Sequence, residues 1–137
     1  MSVEEAFADH IAANDAVIAL VASRIYLLKL PQSPTLPAVR VQLIDEPESY
    51  HTRGANAETR AEIQVDTFAQ EGGSADPYRT ATAVAEAIET AVSGKTFETA
   101  DRRFTAVYQR SRRALYDPDE LRLVRVMTEY VVWSQPV

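Results

Sequence analysis

Cysteine is absent from the 137 residues. That excludes a disulfide framework, thiolate metal sites and a cysteine nucleophile. Histidine occurs only twice, as His10 and His51, too few for a His-rich metal centre. The longest unbroken apolar run, residues 16–22, has seven members, against the ~20 that a helix needs to cross a bilayer, so no membrane partner is expected. The first residues are acidic where a secretory signal would be basic and then apolar, so no such signal is expected either. Positive charge is scarce: 14 Lys and Arg stand against 20 Asp and Glu, a net charge of −6. An acidic chain has no bulk attraction to nucleic acid or anionic lipid.

What is present is ordinary for a soluble globular domain: 46% hydrophobic and 25% charged residues. The length suits one domain over residues 1–137. The charge is unevenly spread. Residues 1–100 hold seven basic and fifteen acidic residues, whereas residues 101–137 hold seven arginines and five acids. That polarity suits complementary contact between copies or partners, although folding can also mix the two signs on one surface.

Ser2 and Glu5 have capping-box spacing and predict a helix from Val3, with Phe7, Ile11 and Ala12 on one stripe. Asn14-Asp15 marks a break, after which residues 16–22 form a short, strongly apolar helix that is expected to be buried. Residues 24–28 read as a strand, and Pro31, Pro34 and Pro37 end regular structure. Val39, Val41 and Leu43 alternate with Arg40 and Gln42 as a half-buried strand. Residues 45–58, with Pro47 and Gly54, read as a long exposed loop or hairpin arm. Ala61, Ile63, Val65 and Thr67 alternate with Arg60, Glu62, Gln64 and Asp66 in a further strand, which Gly72-Gly73 closes. Asp76 then caps a helix with Pro77 at its first position and Ala81, Val84, Ala85, Ile88 and Val92 on its apolar stripe; Gly94 stops it. Two strands follow. The first, residues 104–113, places Phe104, Ala106 and Tyr108 on one face. The second, residues 122–133, places Val124, Val126, Tyr130 and Val132 on one face, after the turn chemistry of Asp117-Pro118-Asp119-Glu120. The order predicts an α+β domain: a mainly antiparallel β-sheet, two or three helices on one face, and a long C-terminal β-hairpin extending beyond them.

Motifs for chemistry fail on inspection. Ser93-Gly94-Lys95-Thr96 carries the end of a phosphate-binding loop, but Glu89 stands where its first glycine belongs, and the segment closes a helix instead of opening one. The acids at 117–120 lack the twelve-residue ligand spacing of a calcium loop, and Arg122 falls at the sixth position, where that loop needs glycine. Neither Asp9-His10 nor His51 has a nucleophile elbow or a second histidine beside it, and Glu4, Glu5 and Asp9 read as a solvated helix face. Catalytic residues, metal ligands and cofactor sites are therefore all read as none. Arg102, Arg103, Arg110, Arg112 and Arg113 are the one strong charge cluster; regular alternation puts Arg110 and Arg112 on one face and Arg113 on the other. Guanidinium forks of this kind suit carboxylates on a neighbouring chain.

Several strings stand in order along the chain: Val21-Ala22-Ser23-Arg24-Ile25-Tyr26; the proline-rich step into Ala38-Val39-Arg40-Val41-Gln42; Ala61-Glu62-Ile63-Gln64-Val65-Asp66-Thr67-Phe68; the helix after Asp76; and Leu115-Tyr116-Asp117-Pro118 before a strand ending Tyr130-Val131-Val132-Trp133. In this order they resemble the tail-completion (tail-terminator, or tail-to-head joining) proteins of long-tailed bacteriophages and prophages. Residues 45–58 match least. The resemblance implies a small α+β subunit of a hexameric ring at the head-proximal end of the tail in the virion, assembled in the bacterial cytoplasm. Its implied partners are further copies, the tail tube protein and a neck or head-completion protein, with viral DNA passing through the lumen without sequence-specific binding. It implies no catalysis, and Arg24, Tyr26, Pro37, Tyr116, Asp117 and Trp133 as fold determinants. On this reading Arg110 and Arg112 are candidate contacts between subunits or rings, and Glu46, Glu48 and Glu58 are candidate carboxylates facing the channel or an adjoining ring. The alternatives are a neck or head-closure ring protein, a small ligand-binding module, or a hydrolase with a cleft formed by the long loop.

Overall fold

The computed structural model describes residues 2–47, 50–51, 54–55, 58–72, 76–118 and 122–137. Glu48, Gly73, Asp119 and Glu120 lie outside the described residues, as does the His51 side chain. Helix α1 (Val3–Ala12) opens on the expected capping box: the Ser2 amide donates to Glu5 Oε2 at 2.7 Å and the Glu5 amide donates to Ser2 Oγ at 3.3 Å. These bonds satisfy amides that the first helical turn leaves without carbonyl partners. Asn14 caps α2 (Asp15–Val21), its Oδ1 accepting from the Ala16 and Val17 amides at 3.0 and 3.2 Å. Helix α3 (Pro77–Val92) starts at Asp76 and Pro77 as the sequence predicts, and Gly94 follows its end with φ of 67°, a left-handed conformation that glycine adopts without strain.

The strands are β1 (Ile25–Leu27), β2 (Ala38–Asp45), β3 (Tyr50–His51), β4 (Gly54–Ala55), β5 (Thr59–Gln70), β6 (Phe97–Glu98), β7 (Arg102–Asp117) and β8 (Leu123–Pro136). Six of them form a sheet in the order β1-β2-β5-β8-β7-β6. Only β1 and β2 pair in parallel; the other neighbours are antiparallel. β3 and β4 pair with each other inside residues 45–58, as a hairpin arm would. The α+β class, the mainly antiparallel sheet and the long final hairpin are as expected, but the hairpin does not extend beyond the helices: β8 pairs with β5 from Ser134 to Leu123, and Val124 and Val126 pack on Ala81 and Ala85 of α3.

The three helices share one face of this sheet. Phe7 and Ile11 of α1, Val17 and Val21 of α2, and Val84 and Ile88 of α3 are buried against Val39, Val41, Ile63, Val65, Tyr130 and Val132. The Phe7 ring lies 6.1 Å from Phe104 and 5.7 Å from Tyr130, both tilted, in the separation range where aromatic pairs attract. Arg24 and Pro37 meet where β1 joins β2. The Arg24 Nε donates to the Pro37 carbonyl at 2.8 Å, and the Val39 amide donates to the Arg24 carbonyl at 2.9 Å, which fixes β1 beside β2.

Three local expectations need correction. The helix at 16–22 is not buried all round: Val17 and Val21 face the core, but Ile18 and Leu20 are 42% and 39% exposed. Two turns of helix offer one stripe to the core, and the remaining apolar residues stay on the surface. Ala12 is likewise exposed, away from the stripe of Phe7 and Ile11. Phe104 does not share a face with Ala106 and Tyr108, because a bulge between Phe104 and Ala106 inserts Thr105. After an inserted residue the alternation changes phase, so Phe104 and Val107 face the helices while Ala106 and Tyr108 lie opposite Trp133 and Val131 on the other face.

Candidate functional site

The arginine cluster of the sequence is spread over several places in the fold. A second bulge, between Gln109 and Ser111, resets the register in the middle of β7. Arg110 and Arg112 consequently leave the strand on opposite faces, contrary to the regular alternation expected of them. Arg110 donates through Nη1 to Glu62 Oε1 at 2.6 Å on the face away from the helices. Arg112 reaches Glu89 on α3 at 2.5 Å, with Glu86 at 3.8 Å. Arg102 bonds Ser134 Oγ at 2.9 Å, Arg103 pairs with Glu98 at 2.6 Å, and Arg113 donates to Met127 Sδ at 3.6 Å. Arg113 faces away from the helices with Tyr108 and Leu115, opposite Met127, Val131 and Arg125 respectively.

Of the candidate carboxylates, Glu46 is exposed, and Glu58 accepts from Thr105 Oγ1 at 2.9 Å, which ties the entry to β5 to the first half of β7. Glu48 is outside the described residues. Neither Glu46 nor Glu58 is paired with an arginine among the described residues. His10 is less solvated than a surface histidine: its ring stacks on Phe97 at 3.6 Å and its Nε2 lies 3.2 Å from the Ala91 carbonyl. Among the described residues no group of three or more His, Asp or Glu is placed to hold a metal ion. No helix among them is long and apolar enough to cross a membrane.

A charged cluster that the sequence did not single out sits on the second face. Asp66 is fully buried there. Its Oδ2 accepts from Arg40 Nε and Nη2 at 3.0 and 2.6 Å, and its Oδ1 accepts from Arg125 Nε at 3.2 Å. Gln64 Nε2 lies 3.1 Å from both oxygens. Both guanidinium groups also lie over the Phe68 ring, at 5.4 and 5.8 Å. The acceptors and donors are matched, which is the condition for holding a charge out of water. This is a clamp across β2, β5 and β8, and its chemistry is structural. Alternation marked Asp66 and Arg40 as facing away from the helices, but only the strand order shows that they are neighbours.

The surface features suited to contact are a groove and an arm. The groove holds about 770 Å³ and is bordered by α1, α2 and β1, with Ala8, Ala12, Ile18, Ile25 and Leu27 as apolar lining and Glu5 and Asp9 at its rim. The arm is the distal part of β7 and β8, where residues 113–117 of β7 are all exposed. Tyr116 there donates from its hydroxyl to Glu71 at 3.1 Å. Exposed apolar side chains gathered in one place offer a surface on which a partner can dock.

A chain from the virion of native gene transfer agent (GTA) particle has a similar structure. The TM-score is 0.73 and the identity 18%, over 98% of this chain and 95% of that one; at that identity the likeness shows the fold. A comparison with curated proteins finds no match. The family model described as tail completion protein gp17 matches residues 5–135. The chain therefore belongs to the tail completion protein gp17 family, whose members are structural proteins of the phage tail.

Proposed function

We propose that this protein is a ring-forming tail terminator: a hexameric ring of it caps the head-proximal end of the tail tube, halts tube growth and joins the tail to the neck. The observation that carries the reading is the arm of β7 and β8. The two strands stay paired from Arg102 and Pro136 out to Asp117 and Leu123, and the distal residues of β7 contribute little to the chain's own core. Exposed residues along a strand of this kind work by contacting something else. Family membership supports the setting, a phage tail; the partners on this reading are the tail tube protein on one side and a neck or head-completion protein on the other.

Within this reading Arg110 and Arg112 serve as contacts between subunits or rings. Arg110 retains an exposed edge beyond its bond to Glu62, with 56% of its side chain in solvent, while Arg112 presents from the helix side beside Glu86 and Glu89. Glu46, Glu48 and Glu58 line the channel or meet an adjoining ring, where carboxylates keep passing DNA from adhering to the wall. The protein performs no bond-making step in this role.

Electron microscopy of particles made with and without the gene product tests the proposal. The terminator reading predicts headless tails of uncontrolled length when the protein is missing. Tails of normal length beside DNA-filled heads that leak would overturn it in favour of a neck ring.

A further inference from the structure

The groove and the arm lie toward opposite ends of the sheet. β1, which walls the groove, is one edge; the arm strand β7 is separated from the other edge only by the two-residue β6. A head-to-tail contact between two unlike patches on the same chain generates a ring when its rotation closes. The two patches are unlike in a complementary way.

The groove is apolar with an acidic rim. Ile18 and Leu27 are 42% and 41% exposed along it, and Leu28 just beyond β1 is 69% exposed. At the rim Glu5 is occupied by the α1 cap, whereas the Asp9 carboxylate has no cationic partner among the described residues. Helices α1 and α2 contain Glu4, Glu5, Asp9 and Asp15 and neither Lys nor Arg. The arm is apolar with a basic margin. Tyr108 and Leu115 are 48% and 44% exposed on its face away from the helices. Between them lies Arg113, exposed, whose guanidinium meets the Met127 sulfur and has no carboxylate partner among the described residues. An exposed apolar strip carrying an unanswered cation thus matches an exposed apolar groove carrying an unanswered anion.

We propose that the arm of one copy, through Tyr108, Arg113 and Leu115, docks in the α1–α2–β1 groove of the next copy, with Arg113 meeting Asp9. The inference rests on the ring reading above and specifies which surfaces close the ring. Burying the apolar strips supplies the attraction, and the charge pair fixes register and direction.

Because the chain has no cysteine of its own, Ala12→Cys and Leu115→Cys together report this contact alone. Both positions are exposed, so the fold is undisturbed, which circular dichroism verifies. Under mild oxidation of assembled tails, the double variant is expected to yield a non-reducing ladder of covalent multimers, and each single variant none beyond a dimer. In parallel, Asp9→Arg or Arg113→Asp alone is expected to lower the multimer fraction about tenfold at low salt, with the double reversal restoring it. Multimers that form without cross-linking, or charge reversals that are not rescued by each other, overturn this docking while leaving the ring intact. A wild-type chain that remains a monomer on tail ends overturns the ring reading and this inference with it.

Discussion

Asp66 shows why burial of a single charge decides stability here. Its carboxylate is out of water and satisfied by Arg40, Arg125 and Gln64. Removing it leaves two half-buried guanidinium groups without their counterion, so Asp66→Ala is expected to cost about 3 kcal/mol, read as a lower urea midpoint at unchanged slope. Tyr130 is the opposite case. Its hydroxyl is buried with no hydrogen-bond partner among the described residues, so Tyr130→Phe is expected to be neutral or to stabilise by up to ~1 kcal/mol. Burial foremost, and the nearby Glu89 carboxylate, raise the Tyr130 phenol above its ordinary value of 10.0, with Arg112 opposing them. A raised folded value means the folded state holds the proton more tightly. The associated stability is complete below the unfolded value and is lost as pH rises beyond about 10. Denaturation midpoints measured across that alkaline range should therefore fall more steeply for the wild type than for Tyr130→Phe; equal slopes would contradict this assignment.

At the scale of elements, capping carries a short helix that propensity alone would not sustain. α2 has seven residues, and Asn14 answers two of its free amides. Asn14→Ala is expected to lower stability by about 1 kcal/mol, measured by thermal or urea unfolding, and to loosen the wall of the groove. Much at this scale was legible in the sequence because the signals are local. Ser2 with Glu5, Asn14, Asp76 with Pro77, and Gly94 all mark helix ends by their own chemistry, and the period-two runs in β2, β5 and β8 mark their buried faces. What was not legible depends on register. The extra residues at Thr105 and Arg110 in β7 carry no sequence signature. Each one changes the phase of everything after it, which sends Arg110 and Arg112 to opposite faces. The short β1 joins in parallel to β2, a pairing that its three residues do not reveal. The groove was hidden for a related reason: an apolar run such as residues 16–22 shows that the chain avoids water, and the run reads the same whether its own core or another copy provides the cover.

On the scale of the whole molecule, the sheet has two unlike faces. One carries three helices over two apolar clusters, the other is held together by Asp66 and its arginines, and the distal residues of β7 lie exposed along the sheet. The candidate site was legible in part. The arginine-rich C-terminal segment does build the exposed arm. Its charges are largely engaged within the chain, through Arg103–Glu98, Arg110–Glu62 and Arg112–Glu89. Arg113 is the exception that matters, and pairwise geometry, not composition, singles it out. A reconstruction of the assembled particle at the junction of head and tail tests the central claim most directly. The account predicts one closed ring of this chain at the head-proximal end of the tube, each copy reaching its neighbour through the β7–β8 arm. Finding the chain repeated along the tube, at the distal tip, or absent from the particle would contradict it.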